Sequence, residues 1–270
     1  MTDLPAMFDL SGRVAVVTGG GGALGRVTAA GLAAAGASVA VVDLHASTAE
    51  SAADEIAAGG ARAIGIGADL TSEEQVDAVF GRVDQAYGRV DILVNAISAP
   101  VDRFAPEDFG IADWDFMLTS NLTSMFMTSQ AAARRMIAAG RGGSIVNFSS
   151  IAGVTALGRG NIAYSVAKSG VVQMTRETAY AWAQHNIRVN AVLPCQFIND
   201  WWRGNLTDPQ RRPLVDRVLS AIPLGRLGEP YEIVGPVLFL VSDAASMVTG
   251  VLLPVDGGNL AMNPGASLDW

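Results

Sequence analysis

The sequence is poor in cysteine and histidine, with one cysteine and two histidines among 270 residues. A single cysteine excludes an intramolecular disulfide framework and is typical of a reducing compartment, so we expect a cytoplasmic protein. No group of histidine, cysteine and carboxylate residues has the spacing of metal ligands, and we therefore predict no catalytic metal. We expect neither His45, after a predicted strand, nor His185, at the end of a predicted helix, to act in catalysis.

Positive charge is scarce as well, because 18 Lys and Arg residues stand against 26 Asp and Glu residues, for a formal net charge of −8. No basic cluster is present, so nucleic acid is not an expected partner. Long apolar runs are missing too: 234–241 is among the longest and is too short to span a bilayer. We expect no membrane partner. Without repeats or linkers, we expect one domain over residues 1–270.

What the chain does contain is a regular alternation of apolar strands and helical segments. Half of its residues are hydrophobic, which is ample for one large core. The alternation predicts an α/β fold, with a single-domain, Rossmann-type doubly wound parallel sheet of about seven strands and helices on both faces. The predicted strands are 13–18, 38–43, 61–68, 90–94, 144–148, 188–193 and 251–255.

Helical patterns separate most of these strands. One follows the glycines after the first strand and ends at Ala35; the others cover 72–87, 111–139, 162–185 and 229–242. Residues 200–219 are polar and are predicted to be irregular, within a substrate-binding lid around 198–225. The helices 111–139 and 162–185 carry apolar residues on more than one face, which predicts a homo-tetramer or at least a dimer.

A run of glycines, 19–22, follows the first predicted strand and leads into a helix, and Asp43 ends the second strand. Glycines let the backbone approach a pyrophosphate, and a helix N-terminus offers N–H groups to it. Asp43 is placed to accept hydrogen bonds from the adenosine ribose. Its carboxylate would repel a 2′-phosphate, and Leu44 and His45 carry no fixed positive charge. The cofactor predicted from this layout is NAD.

In a sheet of this type, ligands bind at the carboxyl ends of the strands. Six candidate positions fall at such ends, namely Gly19, Asp43, Asp69, Asn95, Ser150 and Pro194. This coincidence favours a binding site at one edge of the sheet.

Tyr164 and Lys168 are four residues apart in a predicted helix and therefore lie on one of its faces. An ammonium beside a phenol lowers the pKa of the phenol, which would suit Tyr164 as a general acid and base near neutral pH. Ser150, after the preceding strand, is placed to hold a substrate oxygen beside the Tyr164 hydroxyl. On spacing alone, an ordinary helix with one aromatic and one basic residue remains an alternative.

Together, the motifs resemble those of the short-chain dehydrogenase/reductase family from Leu10 to Gly258. The segments that carry the resemblance are Thr18-Gly19 with Gly25, Asp69-Leu70, 91–95, Asn121, Ser149-Ser150, Tyr164-Ser-Val-Ala-Lys168, 188–191 and 223–230. The resemblance implies an NAD(H)-dependent alcohol dehydrogenase or ketoreductase. It implies Tyr164 as acid and base, Ser150 as the residue that orients the substrate, Lys168 on the nicotinamide ribose, and Asn121 on a water of the proton relay.

The resemblance also implies which residues surround the cofactor. They are Gly19, Gly21, Gly22, Ala23, Leu24, Asp43, Asp69, Leu70, Asn95, Ala96, Tyr164, Lys168, Pro194, Phe197 and Asn199. Some positions depart from the family pattern: Ala23 replaces a glycine, residues 96–98 replace Asn-Ala-Gly, Cys195 replaces the glycine of a Pro-Gly turn, and Asn199 replaces a threonine. We expect cofactor binding to survive the change at Ala23, because alanine is still small.

The expected substrate pocket is less sharply defined by the sequence. Its predicted residues are Ser150, Tyr164, Arg159, Cys195, Trp201, Trp202 and Arg203. Aromatic faces and guanidinium groups suit a hydroxylated ring or an anion, although solvated arginines and tryptophans packed against the lid are an equally open interpretation. Residues 7–12 and 134–144 resemble gluconate 5-dehydrogenase-type sugar-acid enzymes.

The sequence therefore predicts an NAD-dependent oxidoreductase for a secondary alcohol or ketone, with a sugar, polyol or sugar acid as substrate. Two alternatives stay open. One is a reductase of 3-oxoacyl, cyclic-ketone or steroid substrates. The other is an NAD-binding regulator without turnover, which the altered turn at 96–98 favours and the complete set of catalytic residues disfavours.

Overall fold

The computed structural model describes residues 4–99, 103–158 and 160–262. Its centre is a sheet of seven strands in the order β3-β2-β1-β4-β5-β6-β7, with every neighbouring pair parallel. The strands are β1 (Val14–Thr18), β2 (Ser38–Asp43), β3 (Ala63–Gly67), β4 (Ile92–Asn95), β5 (Gly143–Phe148), β6 (Ile187–Pro194) and β7 (Leu252–Val255). The predicted Rossmann-type parallel sheet of about seven strands is confirmed.

The helices of the described residues connect these strands. They are α1 (Ala23–Ala34), α2 (Ala46–Ala58), α3 (Glu73–Tyr87), α4 (Ile111–Leu118), α5 (Ser124–Ala139), α6 (Ile162–Trp182), α7 (Asp200–Leu206), α8 (Arg212–Ser220) and α9 (Val234–Val241). Helix α2, rich in alanine, has no counterpart among the predicted helices. The predicted helix 111–139 is interrupted, because a π-helical turn at Thr119–Thr123 separates α4 from α5.

The segment 200–219 is not irregular, contrary to the prediction. Asn199 begins α7 by accepting a hydrogen bond from the backbone N–H of Trp202 at 3.0 Å, and Asp208 caps the turn that leads into α8 in the same way. The two helices then bury Trp202 and Val215 in a small apolar cluster with Ile222 and Leu227. Side-chain caps and this local core give order to a stretch whose polar composition suggested a loop.

Helices cover both faces of the sheet. One core cluster joins α1, α2 and α9 to one face, and a second joins α3, α5 and α6 to the other. Along β1 the side chains alternate between them, since Val16 packs in one cluster and Val17 in the other. Burial on both faces explains why the strands are apolar throughout instead of alternating with polar residues.

The strand order reverses between β1 and β4, because β1 pairs with β2 on one side and with β4 on the other. In open α/β sheets a crevice forms outside the carboxyl ends of the strands at such a reversal. The loops that follow β1 and β4 therefore define the floor of the candidate site.

Within residues 4–99, 103–158 and 160–262, no helix combines the length and hydropathy needed to cross a bilayer. Across those same residues, no set of three or more His, Cys, Asp or Glu side chains is arranged to hold a metal ion.

Candidate active site

The turn after β1 requires glycine at two positions. Gly19 has a φ of +64°, and a Cβ there would lie 2.7 Å from the carbonyl oxygen of Ala96. A Cβ on Gly25 would collide with the carbonyl oxygen of Gly19, so the first turn of α1 packs directly against the loop. No side chain caps α1 at Gly22. This arrangement fits a dinucleotide, because a pyrophosphate can approach bare backbone at the start of a helix.

Asp43, the last residue of β2, lies directly beside this turn. Its Oδ2 accepts a hydrogen bond from the backbone N–H of Gly21 at 3.0 Å, and its Oδ1 lies 3.4 Å from the N–H of His45. The carboxylate is thus fixed at the edge of the glycine turn while remaining partly exposed. An anchored acceptor in this position suits the hydroxyl groups of a ribose.

Two cavities run along the carboxyl edge of the sheet. The first has a volume of about 510 Å³ and contains the residues of the predicted catalytic site. The second, about 680 Å³, lies on the side of Asp69, Leu70 and helix α4. They share Gly19, Asp43, Ile97 and Ser98 and so form one continuous groove across the switch point. A groove with two connected cavities suits an extended ligand with two different ends.

Ser150 and Tyr164 meet in the first cavity. The backbone after β5 turns at Ser150, whose Oγ accepts a hydrogen bond from the N–H of Ala152 at 3.1 Å and whose side chain also hydrogen-bonds the Tyr164 hydroxyl. The adjacent Ser149 serves a different purpose, since its Oγ donates to the backbone carbonyl of Lys168 at 2.8 Å. That bond ties α6 to the end of β5 and leaves Ser150 as the serine that contacts Tyr164.

Lys168 is the only lysine of the sequence, and it is 1% exposed. Its Nζ donates to the carbonyl oxygens of Ile97 and Phe148, both at 3.0 Å. The same atom lies 5.7 Å from the centroid of the Tyr164 ring. The lysine thus spans from α6 to the ends of β4 and β5 and lies beneath the tyrosine.

Asn121 lies in the π-helical turn between α4 and α5 and is fully buried. Its Nδ2 donates to the carbonyl of Met117 at 3.2 Å, and its Oδ1 accepts from the N–H of Ala99 at 3.2 Å. Single π-helical turns are frequent at functional sites because they redirect a side chain within a helix. Here the turn directs Asn121 toward the chain segment that follows β4.

The electrostatics of the site are dominated by burial. Burial raises the pKa of the Tyr164 hydroxyl, while hydrogen bonds with Ser150 and Ser98 act in the opposite direction. Burial also lowers the pKa of Lys168 to about 7. Burial thus outweighs the lowering of the Tyr164 pKa that the sequence predicts from Lys168, whose ammonium donates to two carbonyl groups.

The residues predicted to surround the cofactor are distributed along the groove. Those that line the first cavity are Gly19, Gly22, Ala23, Leu24, Asp43, Ala96, Tyr164, Lys168, Pro194, Phe197 and Asn199. Asp69 and Leu70 line the second. Gly21 contributes its N–H to Asp43. The Asn199 side-chain oxygen is occupied by the cap of α7, which leaves its amide nitrogen for other contacts.

Asn95 is not among the lining residues of either cavity. It is fully buried, and its amide is used inside the protein: Oδ1 accepts from Thr18 and Thr128, and Nδ2 donates to Ser129 and Asn147. Asn95 therefore ties β4 to β1, β5 and α5, and it affects the groove by holding these elements together.

Only some of the residues predicted to form the substrate pocket lie together in the structure. Trp202 is 6% exposed and lines the first cavity, as does Cys195. Trp201 is half exposed and packs edge-to-face on Trp202 at 4.8 Å between ring centroids. Arg203 lies outside the lining of the cavity, with its guanidinium 4.0 Å from a Glu229 carboxylate oxygen. Arg159 lies outside the described residues.

Sequence reasoning missed two contributors to the site, Ile97 and Ser98. Ile97 offers only its backbone carbonyl, so no side-chain pattern could have identified it. Ser98 stands at one of the positions where the chain departs from the family pattern, and its contact with Tyr164 depends on how the turn after β4 folds over α6.

Comparison with known proteins gives consistent results. A family model described as enoyl-(acyl carrier protein) reductase matches residues 21–259. The chain is 37% identical to 2-dehydro-3-deoxy-D-gluconate 5-dehydrogenase of Escherichia coli over 94% of this chain and 98% of that protein. It is 34% identical to an NAD-dependent glycerol dehydrogenase of Listeria innocua, over 93% of this chain and 95% of that one.

Solved structures match along nearly the whole chain as well. One is a protein from Beutenbergia cavernae, described as an NAD(P)-dependent gluconate 5-dehydrogenase with bound NADP. It has a TM-score of 0.86 and 37% identity, over 95% of this chain and all of that one. A short-chain type dehydrogenase/reductase from Mycobacterium marinum gives a TM-score of 0.89 and 33% identity, over 96% and 100% of the two chains.

Proposed function

The chain belongs to the short-chain dehydrogenase/reductase family of nicotinamide-dependent oxidoreductases, and from this premise we propose that it oxidises a secondary alcohol of a sugar, polyol or sugar acid to a ketone with NAD. The observation that carries the proposal is the convergence of Ser150, Tyr164 and Lys168 in the cavity that also contains the glycine turn and Asp43. Proton-transfer groups and a dinucleotide cradle thus share one groove.

The protein's own contribution is to hold the alcohol and remove its proton. Ser150 donates a hydrogen bond to the substrate oxygen and keeps it beside Tyr164. As the alcohol is oxidised, the Tyr164 phenolate accepts the O–H proton of the substrate, and a bound nicotinamide would take up the hydride from the adjoining carbon, which leaves a carbonyl. The bound nicotinamide supplies the hydride chemistry. In the reverse direction, Tyr164 returns the proton to the carbonyl oxygen.

Lys168 and Asn121 are proposed to support this proton transfer. The buried Lys168 ammonium lies beneath the Tyr164 ring and favours the phenolate when it is charged. We propose that it also holds the nicotinamide ribose when the cofactor is bound. Asn121, held at the turn after β4, is proposed to seat a water that connects the site to solvent.

NAD is the proposed cofactor, because the Asp43 carboxylate is fixed beside the glycine turn by the N–H of Gly21 and would repel a 2′-phosphate bound there. The nearest arginine of α1, Arg26, is engaged with Glu55 at 2.5 Å. The relatives support nicotinamide in general and differ in the form used, since the name of one includes NAD and a solved structure contains NADP.

The substrate class is supported by the names of the relatives and by the cavity. Sugar-acid and polyol dehydrogenases are among the relatives. Serine, glutamine and asparagine side chains line the cavity together with Trp202, which suits a ligand that has both hydroxyl groups and C–H surface. An acyl or cyclic-ketone reductase is the second candidate, and the description of the matching family model supports an acyl substrate.

Residues 198–225 contribute to the border of the first cavity. Helices α7 and α8 lie within residues 198–225, and Ile198, Asn199 and Trp202 from this segment line the first cavity. We assign this segment as the substrate-binding lid of a single catalytic domain over residues 1–270. The single cysteine supports a cytoplasmic location.

The test is a substrate screen with the purified protein, in which NADH formation is followed with gluconate-type acids, polyols, 3-hydroxyacyl esters and cyclic alcohols. We expect turnover with at least one polyhydroxylated compound and a higher kcat/KM than with any acyl or cyclic substrate. Higher efficiency with acyl or cyclic compounds would support the second candidate. Binding of NADH without turnover of any compound would support a regulator.

A further inference from the structure

Residues 97–99, directly after β4, contact the catalytic machinery through consecutive positions. The carbonyl oxygen of Ile97 accepts a hydrogen bond from Lys168 Nζ at 3.0 Å. Two residues later, the N–H of Ala99 donates to Asn121 Oδ1 at 3.2 Å. The backbone on either side of residue 98 is therefore fixed to two of the four proposed catalytic residues.

Between these two anchors, Ser98 presents its hydroxyl to Tyr164. The two side chains are hydrogen-bonded, and Ser98 lies at the junction of the two cavities, exposed to the groove. Tyr164 consequently has two serine partners that arrive from different elements, with Ser150 after β5 and Ser98 after β4. The anchoring of its neighbours holds Ser98 in this position.

When a substrate is bound, Ser150 and Ser98 cannot both donate a hydrogen bond to the Tyr164 oxygen. A hydroxyl has one proton to donate, and in the proposed reaction Ser150 donates it to the substrate oxygen. Ser150 then has no proton left for the Tyr164 phenolate. Lys168 already directs its ammonium to the carbonyls of Ile97 and Phe148. Among the residues that the structure describes, Ser98 is the other hydroxyl donor in contact with the Tyr164 oxygen.

We infer that Ser98 is a positioning residue of the reaction, which donates a hydrogen bond to the Tyr164 oxygen and stabilises its phenolate while Ser150 binds the substrate. The inference rests on the proposed function, because it assumes that Tyr164 exchanges the proton. Ser98 stands where the family pattern has a glycine, so that pattern offers no hydroxyl at this position.

The expected consequence is a change in how activity depends on pH. A hydrogen bond to the charged form of an acid lowers its pKa, so Ser98→Ala raises the pKa at which Tyr164 becomes a base. The acid limb of kcat/KM for alcohol oxidation should move to higher pH by about half a unit to one unit, because the lost hydrogen bond is stronger to the phenolate than to the neutral phenol and only this difference shifts the pKa. Oxidation near neutral pH should fall by roughly three- to tenfold and recover at high pH.

The reverse reaction provides an internal check. Carbonyl reduction needs Tyr164 protonated, so its alkaline limb should move upward by the same amount in Ser98→Ala. Ser98→Thr keeps a hydroxyl and should retain the wild-type limbs. A uniform loss at every pH, or a change confined to KM, would overturn the inference, because either result indicates a structural or binding role.

A second readout does not use turnover. The chain has four tyrosines, so the ultraviolet titration of tyrosinate in wild type minus that in Tyr164→Phe isolates Tyr164. The titration of Ser98→Ala minus that of the double variant Ser98→Ala/Tyr164→Phe isolates Tyr164 in the absence of the Ser98 hydroxyl. We expect this second midpoint to lie at higher pH than the first, and equal midpoints would overturn the inference. If Tyr164→Phe retains turnover, the proposed function fails as well. If it abolishes turnover while Ser98→Ala leaves both limbs in place, only the role of Ser98 fails.

Discussion

Lys168 Nζ lies 5.7 Å from the centroid of the Tyr164 ring, yet it donates its hydrogen bonds to the backbone carbonyls of Ile97 and Phe148. Lys168 and Tyr164, which the sequence places on one helical face, therefore interact electrostatically over this distance and not through the hydrogen bonds of the ammonium. Two carbonyl groups hold the ammonium in an otherwise buried position. Its protonation state controls how strongly it favours the Tyr164 phenolate.

Lys168 should titrate near neutral pH. Burial lowers its pKa to about 7, whereas an exposed lysine titrates near about 10.4. Because Lys168 is the only lysine, lysine labelled with carbon-13 at the ε position gives a single side-chain signal whose pH dependence reports this group. Urea-unfolded protein serves as the control and should titrate in the ordinary range. A folded midpoint above about 9 would contradict the prediction.

The same shift should appear in the stability of the protein. Above pH 7 the folded Lys168 loses its proton, while the unfolded lysine keeps it until near pH 10. The unfolded state then binds more protons, so the free energy of unfolding rises with pH, by at most about 1.4 kcal/mol per pH unit. Denaturant unfolding between pH 7 and 9 measures this slope. Lys168→Met should remove the rise; an equal slope in both proteins argues against it.

Tyr164→Phe should abolish turnover and leave cofactor affinity nearly unchanged. The substitution removes the group that exchanges the proton, whose general acid and base contribution is roughly 10²–10⁴-fold, and it keeps the ring that packs in the cavity. Steady-state rates and NADH titration by fluorescence separate the two effects. Tyr231→Phe is the matched control, because Tyr231 is 67% exposed and lies outside both cavities of the groove. Activity within a few-fold of wild type in Tyr164→Phe would remove Tyr164 from this role.

NAD should be preferred over NADP by on the order of 100-fold in kcat/KM. A 2′-phosphate would be repelled by the Asp43 carboxylate, and the hydrogen bonds that Asp43 accepts from the ribose hydroxyls of NAD would be lost. Asp43→Ala should narrow the gap. Asp43→Asn is a sharper test, since the amide oxygen can still accept from the N–H of Gly21 while the charge is lost. Kinetics with both cofactors measure the ratio, and equal efficiency of wild type with NAD and NADP would show the prediction to be wrong.

Assembly through α5 and α6 should give a homo-tetramer or at least a dimer. Some of the apolar residues on these helices cover the sheet, as Met136 does, but others are exposed, including Phe126 at 42%, Val166 at 41% and Tyr180 at 87%. Sedimentation should show an oligomer for wild type and a smaller species for Phe126→Glu combined with Tyr180→Glu. Tyr231→Glu, on a different surface, should leave the mass unchanged. A monomeric wild type at micromolar concentration would refute the proposal.

If the arginines of the predicted substrate pocket bind an anion, Arg203→Ala should lower kcat/KM for an acidic sugar several-fold and leave kcat/KM for the matched neutral sugar unchanged. Arg203 is 4.0 Å from a Glu229 oxygen, so it must turn from Glu229 toward the cavity to bind a carboxylate. Glu229→Gln should therefore favour the acidic substrate. Arg159→Ala belongs in the same comparison. If neither arginine changes the ratio of acidic to neutral efficiency, a carboxylate is recognised elsewhere or not at all.

The sequence by itself determined the sheet, the glycine turn and the spacing of Tyr164 and Lys168. These features depend on short-range rules: apolar runs that alternate with helical patterns, a run of glycines directly after a strand, and one helical turn between residues four apart. Local patterns fix such features because their causes lie within a few residues of the chain.

Only the tertiary structure decided what those residues contact. The π-helical turn that directs Asn121, the internal bonds that occupy Asn95, the carbonyls that hold Lys168 and the position of Ser98 beside Tyr164 all join segments far apart in sequence. Their partners are backbone atoms or single polar side chains, which leave no periodic pattern. Polar composition likewise concealed α7 and α8, because their order comes from caps and from the burial of Trp202 against residues downstream.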